Sequence, residues 1–376
     1  MNIIIFSAST GGGHNTAAKA VKKYILAQDS NNNVRIIDTF KYINKYLDKT
    51  VSKGYVYLAT KTPKLYGSLY RLTDRNGRYS KAVKISNKVF ASKLVPLIKE
   101  FESDLIITVH PFSTEMISVL KKEQIINIPL ICIMTDYATH STWLNEEVDG
   151  YIVSNEDMKK EMVQRGVTAD KVFSFGIPID EKFYIEKEKS ILKHELGLNA
   201  DIPTILMMAG SFGVPKINEV YREITEIDLE FQLIIITGKN QKLYDVLKQE
   251  TSEDKRFIEL IYFTDEVEKY MKAADLIITK PGGLTVTEAL ACNVPLITFC
   301  AIPGQEEENA EFLYKHHMAV PIEKNKKAAD IIVDLLKHRE KLAEMKEACI
   351  HFDKSKCCEN IYRLISKMIN LDNYEL

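Results

Sequence analysis

The sequence predicts an α/β protein with two doubly wound domains, each built on a parallel sheet. Three observations support this prediction. Short apolar runs alternate with helix-like segments along most of the chain, which is the pattern of parallel βα units. Each half has a glycine-rich loop directly after its first predicted strand, at 11–13 and 210–213. The length of 376 residues also exceeds what one hydrophobic core usually organises, so two domains are expected.

The first half contains six predicted strands. The strand at 2–7 leads through the loop Gly11-Gly12-Gly13-His14 into a helix with a periodic apolar face. Three consecutive glycines are entropically costly and are typical of a loop that passes close to a ligand. The other strands are predicted at 34–38, 104–109, 129–134, 150–153 and 171–175, with a helix at about 156–165.

The second half repeats this order after a charged stretch at 186–194, which we interpret as a linker and a short helix. Strands are predicted at 204–209, 231–237, 257–263, 275–279 and 295–299, and helices at 265–272, 326–350 and 356–369. We therefore place the first domain at 1–182 and the second at 183–355. The segment 356–376 is expected to pack back on the first domain.

The stretch 277–290 is the most informative part of the sequence. A buried strand ends here, Pro281-Gly282-Gly283 forms a turn, and a helix follows. The free amide groups and the positive dipole end of a helix N-terminus suit a phosphate. However, Thr285-Val286-Thr287-Glu288 also fits a capping box in which Thr285 closes the helix. These residues alone leave phosphate binding and simple capping open.

Polar side chains gather where predicted strands of the first domain end. They are His14, His110, Asp136 and His140. Ligands of α/β sheets bind at the carboxyl ends of the strands, so we favour a ligand-facing His14 over a surface or capping histidine. Asp136 next to a histidine could act as a general base or form only a structural hydrogen bond. No G-x-S-x-G motif is present, and the histidine spacing names no metal site.

The charge distribution is asymmetric. Residues 41–99 contain 14 Lys or Arg against two acids, whereas the whole chain has a net charge of −2. This basic segment is also rich in tyrosine, and both features suit an anionic lipid surface. Nucleic acid could attract the same charge, but the overall pI of about 6.5 and the lack of a binding motif argue against it. We therefore predict a membrane patch that includes Arg71, Arg75, Arg78 and Lys81.

The chain shows no signal-peptide pattern and no apolar run of about 20 residues that would span a bilayer. Its six cysteines lack metal-ligand spacing and are typical of reduced thiols. We expect a cytoplasmic protein that is peripheral on the inner face of the cell membrane.

Several motifs, taken in order, resemble the diacylglycerol glycosyltransferase family, which includes bacterial processive diglucosyldiacylglycerol synthases and plant monogalactosyldiacylglycerol synthase. The similarity covers about residues 1–365. The motifs are Gly-Gly-Gly-His, His-Pro-x-x-Thr, Thr-Asp, Gly-Ile-Pro-Ile, Lys-Pro-Gly-Gly-x-Thr-x-x-Glu-Ala and Pro-Gly-Gln-Glu-x-x-Asn-Ala. The resemblance implies the GT-B fold, with two Rossmann-like domains facing a cleft. It also implies an inverting transfer of a hexose, most simply glucose, from a UDP-sugar to diacylglycerol, which some bacterial members repeat.

The resemblance also implies roles for individual residues. His14 and Asp136 become candidate catalytic bases, and Gly12, Gly13, His110 and Thr114 line the acceptor side. The donor diphosphate is expected at Gly210, Ser211, Phe212 and Gly213 together with Pro281, Gly282 and Gly283. Phe263 and Thr264 border the uracil, Glu288 binds the ribose, Gln305 and Glu306 hold the sugar, and Asn309 supports their loop. The alternative for Gln305 and Glu306 is an acidic surface loop. No cofactor and no metal are expected.

Other functions fit the same residues. The chain could use UDP-N-acetylglucosamine and a different lipid-linked acceptor, or it could be a sugar-nucleotide epimerase of the same fold. A catalytically silent UDP-sugar sensor on the membrane is the third possibility.

Overall fold

The structure, a computed structural model, describes residues 1–9, 13–43, 62–76, 88–209, 216–252, 254, 256–299, 301–323 and 325–369, with backbone only at 63, 75, 76 and 216. Contacts divide the chain into two units. The first comprises Met1–Asp180, Pro303–Gln305 and Lys354–Leu376, and the second comprises Glu181–Ile302 and Glu306–Asp353. Each unit contains a six-stranded parallel sheet.

The sheet of the first unit has the order β2-β1-β3-β4-β5-β6. Its strands are β1 (Asn2–Ser7), β2 (Asn33–Asp38), β3 (Leu105–Thr108), β4 (Leu130–Ile133), β5 (Gly150–Ile152) and β6 (Val172–Phe173). Its helices are α1 (Gly13–Gln28), α2 (Thr39–Ile43), α3 (Pro63–Asn76), α4 (Val95–Glu100), α5 (Pro111–Lys122) and α6 (Glu156–Gln164). Single 3-10 turns lie at Ser141–Trp143 and Ala169–Lys171.

Both faces of this sheet are buried, as β1 illustrates. Ile4 and Phe6 point into one apolar cluster, and Ile3 and Ile5 point into the other. All four side chains are fully buried. A parallel sheet covered on both faces needs such continuous apolar strands, which explains why the sequence shows uninterrupted apolar runs rather than alternation.

The sheet of the second unit has the order β12-β11-β10-β7-β8-β9. Its strands are β7 (Thr204–Met208), β8 (Gln232–Ile236), β9 (Ile258–Ile261), β10 (Leu276–Thr279), β11 (Leu296–Thr298) and β12 (Ala319–Pro321). Its helices are α7 (Lys189–Glu195), α8 (Lys216–Thr225), α9 (Gln241–Thr251), α10 (Val267–Ala273), α11 (Gly283–Ala291), α12 (Gln305–Lys315, which starts in the first unit), α13 (Ala328–Lys337) and α14 (Arg339–His351), with a 3-10 turn at Glu181–Phe183.

The last helix, α15 (Cys357–Met368), belongs to the first unit. Its buried side chains Cys357, Ile361, Leu364 and Ile365 share a cluster with Ile3, Ile5 and the apolar face of α1. This helix therefore completes one layer of the first unit, although it follows the whole second unit in the sequence.

Eleven predicted strands are present, with ends that differ by no more than two residues. The strand β12 was not predicted because it has only three residues and ends in a proline. Among the described residues, no helix is long and apolar enough to cross a membrane.

Candidate active site

In the first unit, predicted site residues meet at the carboxyl ends of three adjacent strands, β1, β3 and β4. His14 lies at the start of α1, His110 follows β3, and Thr135 and Asp136 follow β4. Gly13 is the first residue of α1, whereas Gly12 lies outside the described residues. The βα topology thus brings together side chains that are more than 100 residues apart in sequence.

His14 is held by polar and aromatic neighbours. Its Nδ1 lies 3.0 Å from the Thr135 hydroxyl, and its ring meets the His110 ring edge to face with centroids 4.8 Å apart. Burial lowers the pKa of His14 to about 4, and a hydrogen bond with the Val109 backbone only partly offsets this effect. The imidazole is therefore neutral at pH 7, as a general base must be before it accepts a proton.

His110 and Thr114 organise the start of α5. The His110 Nδ1 accepts a hydrogen bond from the Phe112 backbone N–H at 3.1 Å, so its Nε2 carries the proton in the neutral ring. Burial lowers the pKa of His110, and His14 adds to the shift. Thr114 is fully buried, and its hydroxyl bonds to the His110 carbonyl and to Thr108. Thr114 therefore positions the helix rather than facing the solvent.

Asp136 is 7% exposed and accepts a hydrogen bond of 2.6 Å from the side-chain amide of Gln305. Both residues belong to the first unit because Pro303–Gln305 packs there. Gly304 has a φ of 96°, and a Cβ at this position would lie 2.6 Å from the Tyr70 ring. A glycine is thus required at Gly304, and this turn delivers Gln305 to Asp136.

A second network fixes α3 in the first unit. Asp74 accepts hydrogen bonds from the Ser141 backbone N–H at 2.8 Å and from Arg165 at 2.9 Å. Partial burial opposes ionisation, but the bonds from Arg165 and Ser141 outweigh it and lower the pKa of Asp74 to about 2. His140 also bonds to the Tyr70 carbonyl at 3.0 Å. His140 is among the candidates that the sequence indicates, whereas Asp74 is not, since no local motif pairs it with Ser141 or Arg165 so far along the chain.

The outer face of α3 is apolar and basic. Leu65, Leu69 and Leu72 are 52%, 42% and 55% exposed, and their spacing puts them on one side of the helix. Arg71 is exposed next to them. Arg75 lies in the same helix, but its side chain is not described, and Arg78 and Lys81 lie outside the described residues.

In the second unit, β10 runs directly into the predicted phosphate loop. Pro281 and Gly282 form the turn, and α11 begins at Gly283 with Gly282 as its N-cap and no side-chain cap. The prediction that Thr285 caps this helix is wrong, because the N-cap is Gly282, three residues before Thr285, and Thr285 lies inside the first turn. The N–H groups at the start of α11 have no intrahelical partners, which is the arrangement that binds anions.

Asn309 supports this loop. It is fully buried on α12, and its side-chain amide donates to the Pro281 carbonyl at 3.1 Å. The sequence predicts that Asn309 supports the loop around Gln305 and Glu306, but it does not predict this contact with Pro281. The Glu306 carboxylate accepts from the Ile302 backbone N–H at 2.7 Å and so closes the turn before α12.

Glu288 lies on the second turn of α11. Burial raises its pKa to about 7, with Lys182 opposing the shift and Glu268 adding to it. Lys182 itself forms an ion pair of 2.6 Å with Glu268. A carboxyl that is this poorly solvated gains most from a ligand that supplies hydrogen-bond donors.

Phe263 and Thr264 follow β9. Phe263 is 45% exposed, and the Lys239 ammonium lies 4.5 Å from its ring centroid. The Thr264 hydroxyl accepts from the Glu266 backbone N–H at 3.0 Å and so fixes the turn into α10. The remaining donor-loop candidates, Gly210, Ser211, Phe212 and Gly213, lie outside the described residues.

Comparison with known proteins tests the motif resemblance. Residues 14–179 match the family described as monogalactosyldiacylglycerol (MGDG) synthase, and residues 204–361 match the glycosyltransferase family 28 C-terminal domain. A Staphylococcus carnosus (strain TM300) protein named processive diacylglycerol beta-glucosyltransferase is 31% identical over 375 residues, covering 96% of this chain and 93% of the relative. This chain belongs to the diacylglycerol glycosyltransferase family. The family recognised from the motifs is thereby confirmed.

Other matches agree with this family and with the fold. A Bacillus pumilus (strain SAFR-032) protein of the same name is 29% identical, covering 92% of this chain and 89% of the relative. Acinetobacter baumannii MurG has a TM-score of 0.63 at 16% identity, covering 97% of this chain and 99% of MurG. Anabaena HepE in complex with UDP-glucose has a TM-score of 0.56 at 15% identity, with 97% and 99% coverage. These structures confirm the predicted GT-B class of two doubly wound α/β units.

Proposed function

We propose that this chain transfers a hexose, which the names of its relatives indicate to be glucose, from a UDP-sugar to the free hydroxyl of diacylglycerol with inversion at the anomeric carbon. The observation that carries the proposal is the match of 96% of the chain to a protein named processive diacylglycerol beta-glucosyltransferase. Direct attack of a hydroxyl on an α-linked UDP-sugar gives a β-glycoside.

The second unit is proposed to bind the donor. The diphosphate lies at the start of α11, where the amides after Gly282 and the helix dipole stabilise the charge that grows on the departing UDP. Glu288 binds the ribose hydroxyls, and Phe263 and Thr264 border the uracil. Glu306 holds the sugar together with the preceding Gln305, which belongs to the first unit, and Gly210–Gly213 contribute to the diphosphate site.

The first unit is proposed to bind the acceptor and to remove its proton. His14 is neutral at pH 7 and sits beside His110 and Thr135. Asp136 is the second candidate base, and its carboxylate already accepts a hydrogen bond from Gln305. General-base catalysis contributes roughly 10²–10⁴ in rate, so loss of the true base should lower turnover far more than donor affinity.

The membrane surface is proposed to meet the outer face of α3. Its exposed leucine row lies next to Arg71 within a segment that carries 14 basic residues against two acids. Apolar side chains enter the headgroup layer while the cations face anionic lipid, which is how amphipathic helices bind a bilayer surface. A diacylglycerol acceptor resides in such a bilayer.

The test is an assay of purified protein with diacylglycerol in phosphatidylglycerol micelles. UDP-glucose, UDP-galactose and UDP-N-acetylglucosamine are supplied in turn, and the glycolipid is separated by thin-layer chromatography. We expect product with a UDP-hexose. Binding of UDP-sugar without any glycolipid would contradict the proposal and favour a sensor, and product only with UDP-N-acetylglucosamine would change the donor.

The same assay assigns the residues. His14→Ala or Asp136→Asn, whichever removes the base, should lower kcat by about 10²–10⁴ at an unchanged KM for the donor.

Glu288→Ala should raise the Kd for UDP by about tenfold, because the ribose hydroxyls lose their hydrogen bonds to the carboxylate. Glu344→Ala, an exposed glutamate on α14, is the control. Normal turnover in His14→Ala would move the base away from His14.

A further inference from the structure

The second unit has a pocket at the amino ends of β7, β10 and β11. Its volume is about 290 Å³, near the lower limit for small-molecule sites. The residues just before these strands line it, whereas Pro281 and Gly282 follow the opposite, carboxyl end of β10. Among the residues that the structure describes, no predicted donor or acceptor residue lines this pocket.

The pocket has an excess of positive charge. Lys189, Lys193, Arg339 and Lys346 line it, against Asp201 and Asp275. Asp275 is fully engaged, because it accepts from Lys189 at 2.7 Å, from Lys193 at 3.1 Å and from the Thr204 backbone N–H at 2.8 Å. Its single negative charge thus already faces two ammonium groups.

Lys193 and Lys189 have a structural role. Lys193 is 3% exposed and also donates to the Ile202 carbonyl at 2.8 Å, and Lys189 donates to the Ala274 carbonyl at 2.7 Å. These bonds fix the segments that lead into β7 and β10. They give no structural role to the other two basic residues of the pocket, Arg339 and Lys346.

Arg339 and Lys346 lie two turns apart on the same face of α14, with Leu342 and Ala343 between them, and all four line the pocket. Both cations are exposed, and neither has an ion pair or side-chain hydrogen bond within the described part of the chain. Burial lowers the pKa of Lys189, Asp275 opposes the shift, and Lys346 and Lys193 add to it. The repulsion between these ammonium groups would be relieved by an incoming anion.

The rest of the pocket wall is largely apolar. Ile202 and Pro203 border it before β7, Pro295 borders it before β11, and Leu335 and Leu336 border it from α13. An inorganic anion would leave this surface unused. An anion with a compact apolar group would bury it, at about 25 cal/mol per Å² of apolar area.

We propose that this pocket binds a small organic anion, whose phosphate or carboxylate head pairs with Arg339 and Lys346 and whose apolar group covers Leu342, Leu335 and Pro203. The described lining of this pocket shares no residue with the proposed donor or acceptor sites, and the proposal does not depend on the proposed transferase activity. The same chemistry is offered by a soluble phosphate ester and by the headgroup region of an acidic lipid.

The test is calorimetric titration of the full chain with phenyl phosphate, inorganic phosphate and benzyl alcohol at constant ionic strength. Saturating UDP is present in one series, so that binding at the predicted diphosphate loop is blocked. We expect phenyl phosphate to bind more tightly than inorganic phosphate, with benzyl alcohol the weakest. Monomeric dihexanoyl phosphatidic acid is the further probe, and tighter binding than phenyl phosphate would identify a lipid as the source.

The deciding variant is Arg339→Ala combined with Lys346→Ala. Both side chains are exposed, so the variant should fold, and loss of two charge-assisted contacts should weaken phenyl phosphate binding by about tenfold or more. The matched control is Lys337→Ala with Lys341→Ala, which removes the same charge from exposed positions outside the pocket lining. Equal weakening in both variants, no change in either, or no binding of phenyl phosphate to the unmodified chain at millimolar concentration would overturn the proposal.

Discussion

At the residue scale, Glu288 is a carboxyl in an unfavourable place. Burial raises its pKa from 4.5 to about 7, whereas the unfolded chain releases the same proton near the ordinary value. Ionisation is therefore more costly in the folded state, and the chain loses stability as the pH rises from about 4.5 through 7. A donor that offers hydroxyl groups to the carboxylate would recover part of this loss.

Glu288→Gln should remove this pH dependence. We expect the variant to gain stability relative to the unmodified chain as the pH is raised from 5 to 8, by up to about 3 kcal/mol, since one pKa unit corresponds to 1.36 kcal/mol. The measurement is the difference in thermal midpoint between variant and unmodified protein at both pH values. Glu344→Gln, at an exposed position of the same unit, should show no such trend. A difference for Glu288→Gln that is the same at pH 5 and pH 8 would refute the prediction.

His14 and Asp136 show a different use of burial. Burial keeps His14 uncharged at neutral pH, while the Gln305 amide supplies a hydrogen bond to the otherwise enclosed Asp136 carboxylate. The sequence named all three residues, but it could not show that Gln305 contacts Asp136. A contact between residues 169 positions apart depends on the packing of Gly304 against Tyr70, for which no local pattern exists.

At the scale of elements, α3 has two different faces. Its inner face is fixed through Asp74, Ser141 and Arg165, and its outer face leaves three leucines in solvent. Exposed leucines in a row are costly unless something covers them, and the surrounding positive charge suits an anionic bilayer.

We expect Leu65→Ser, Leu69→Ser and Leu72→Ser together to lower binding to phosphatidylglycerol vesicles by about tenfold or more, because each leucine loses its apolar area in the headgroup layer. The thermal midpoint should hardly change, since these side chains are exposed in the folded chain. Vesicle sedimentation gives the partition coefficient.

The matched control replaces three exposed apolar residues of the second unit, Ile191→Ser, Val246→Ser and Ile350→Ser. This control should bind vesicles like the unmodified chain. If both triple variants lose binding to the same extent, α3 is not the membrane-facing element.

The helix α11 shows where element prediction stops. The Thr285-Val286-Thr287-Glu288 pattern predicted a helix with a threonine cap, and the helix itself is present. The predicted first residue of this helix was wrong. The start of a helix depends on the backbone dihedral angles of the residues before it, and Gly282 can adopt many such angles. Because the helix starts after Gly282 without a side-chain cap, its first backbone N–H groups are available to an anion. A threonine cap would have satisfied one of these N–H groups.

At the scale of the whole molecule, the two sheets were predictable because their strands are buried on both faces. Such strands appear as continuous apolar runs, as at Ile3–Phe6 and Leu276–Ile278, and they alternate with amphipathic helices. The edge strand β12 lacks that signal, since it has three residues and only Ala319 is buried. The tertiary contacts of Asn309 and Gln305 could come only from the folded chain.

The chain returns to its first unit after the second is complete. The helix α15 stabilises the first unit because its apolar side chains complete a core cluster there. Ile365 is fully buried in the cluster that contains Ile3 and Ile5 of β1. Ile365→Ala should therefore destabilise the first unit by about 2–5 kcal/mol, the usual cost of emptying such a site. Hydrogen exchange of the β1 amides should become faster, while the amides of β7 and β8 should keep their protection, since the second unit has a core of its own.

The control is Ile350→Ala, at a position that is 39% exposed, which should leave the exchange of both groups of amides unchanged. Faster exchange in both sheets, or in neither, would show that α15 does not stabilise the first unit in this selective way.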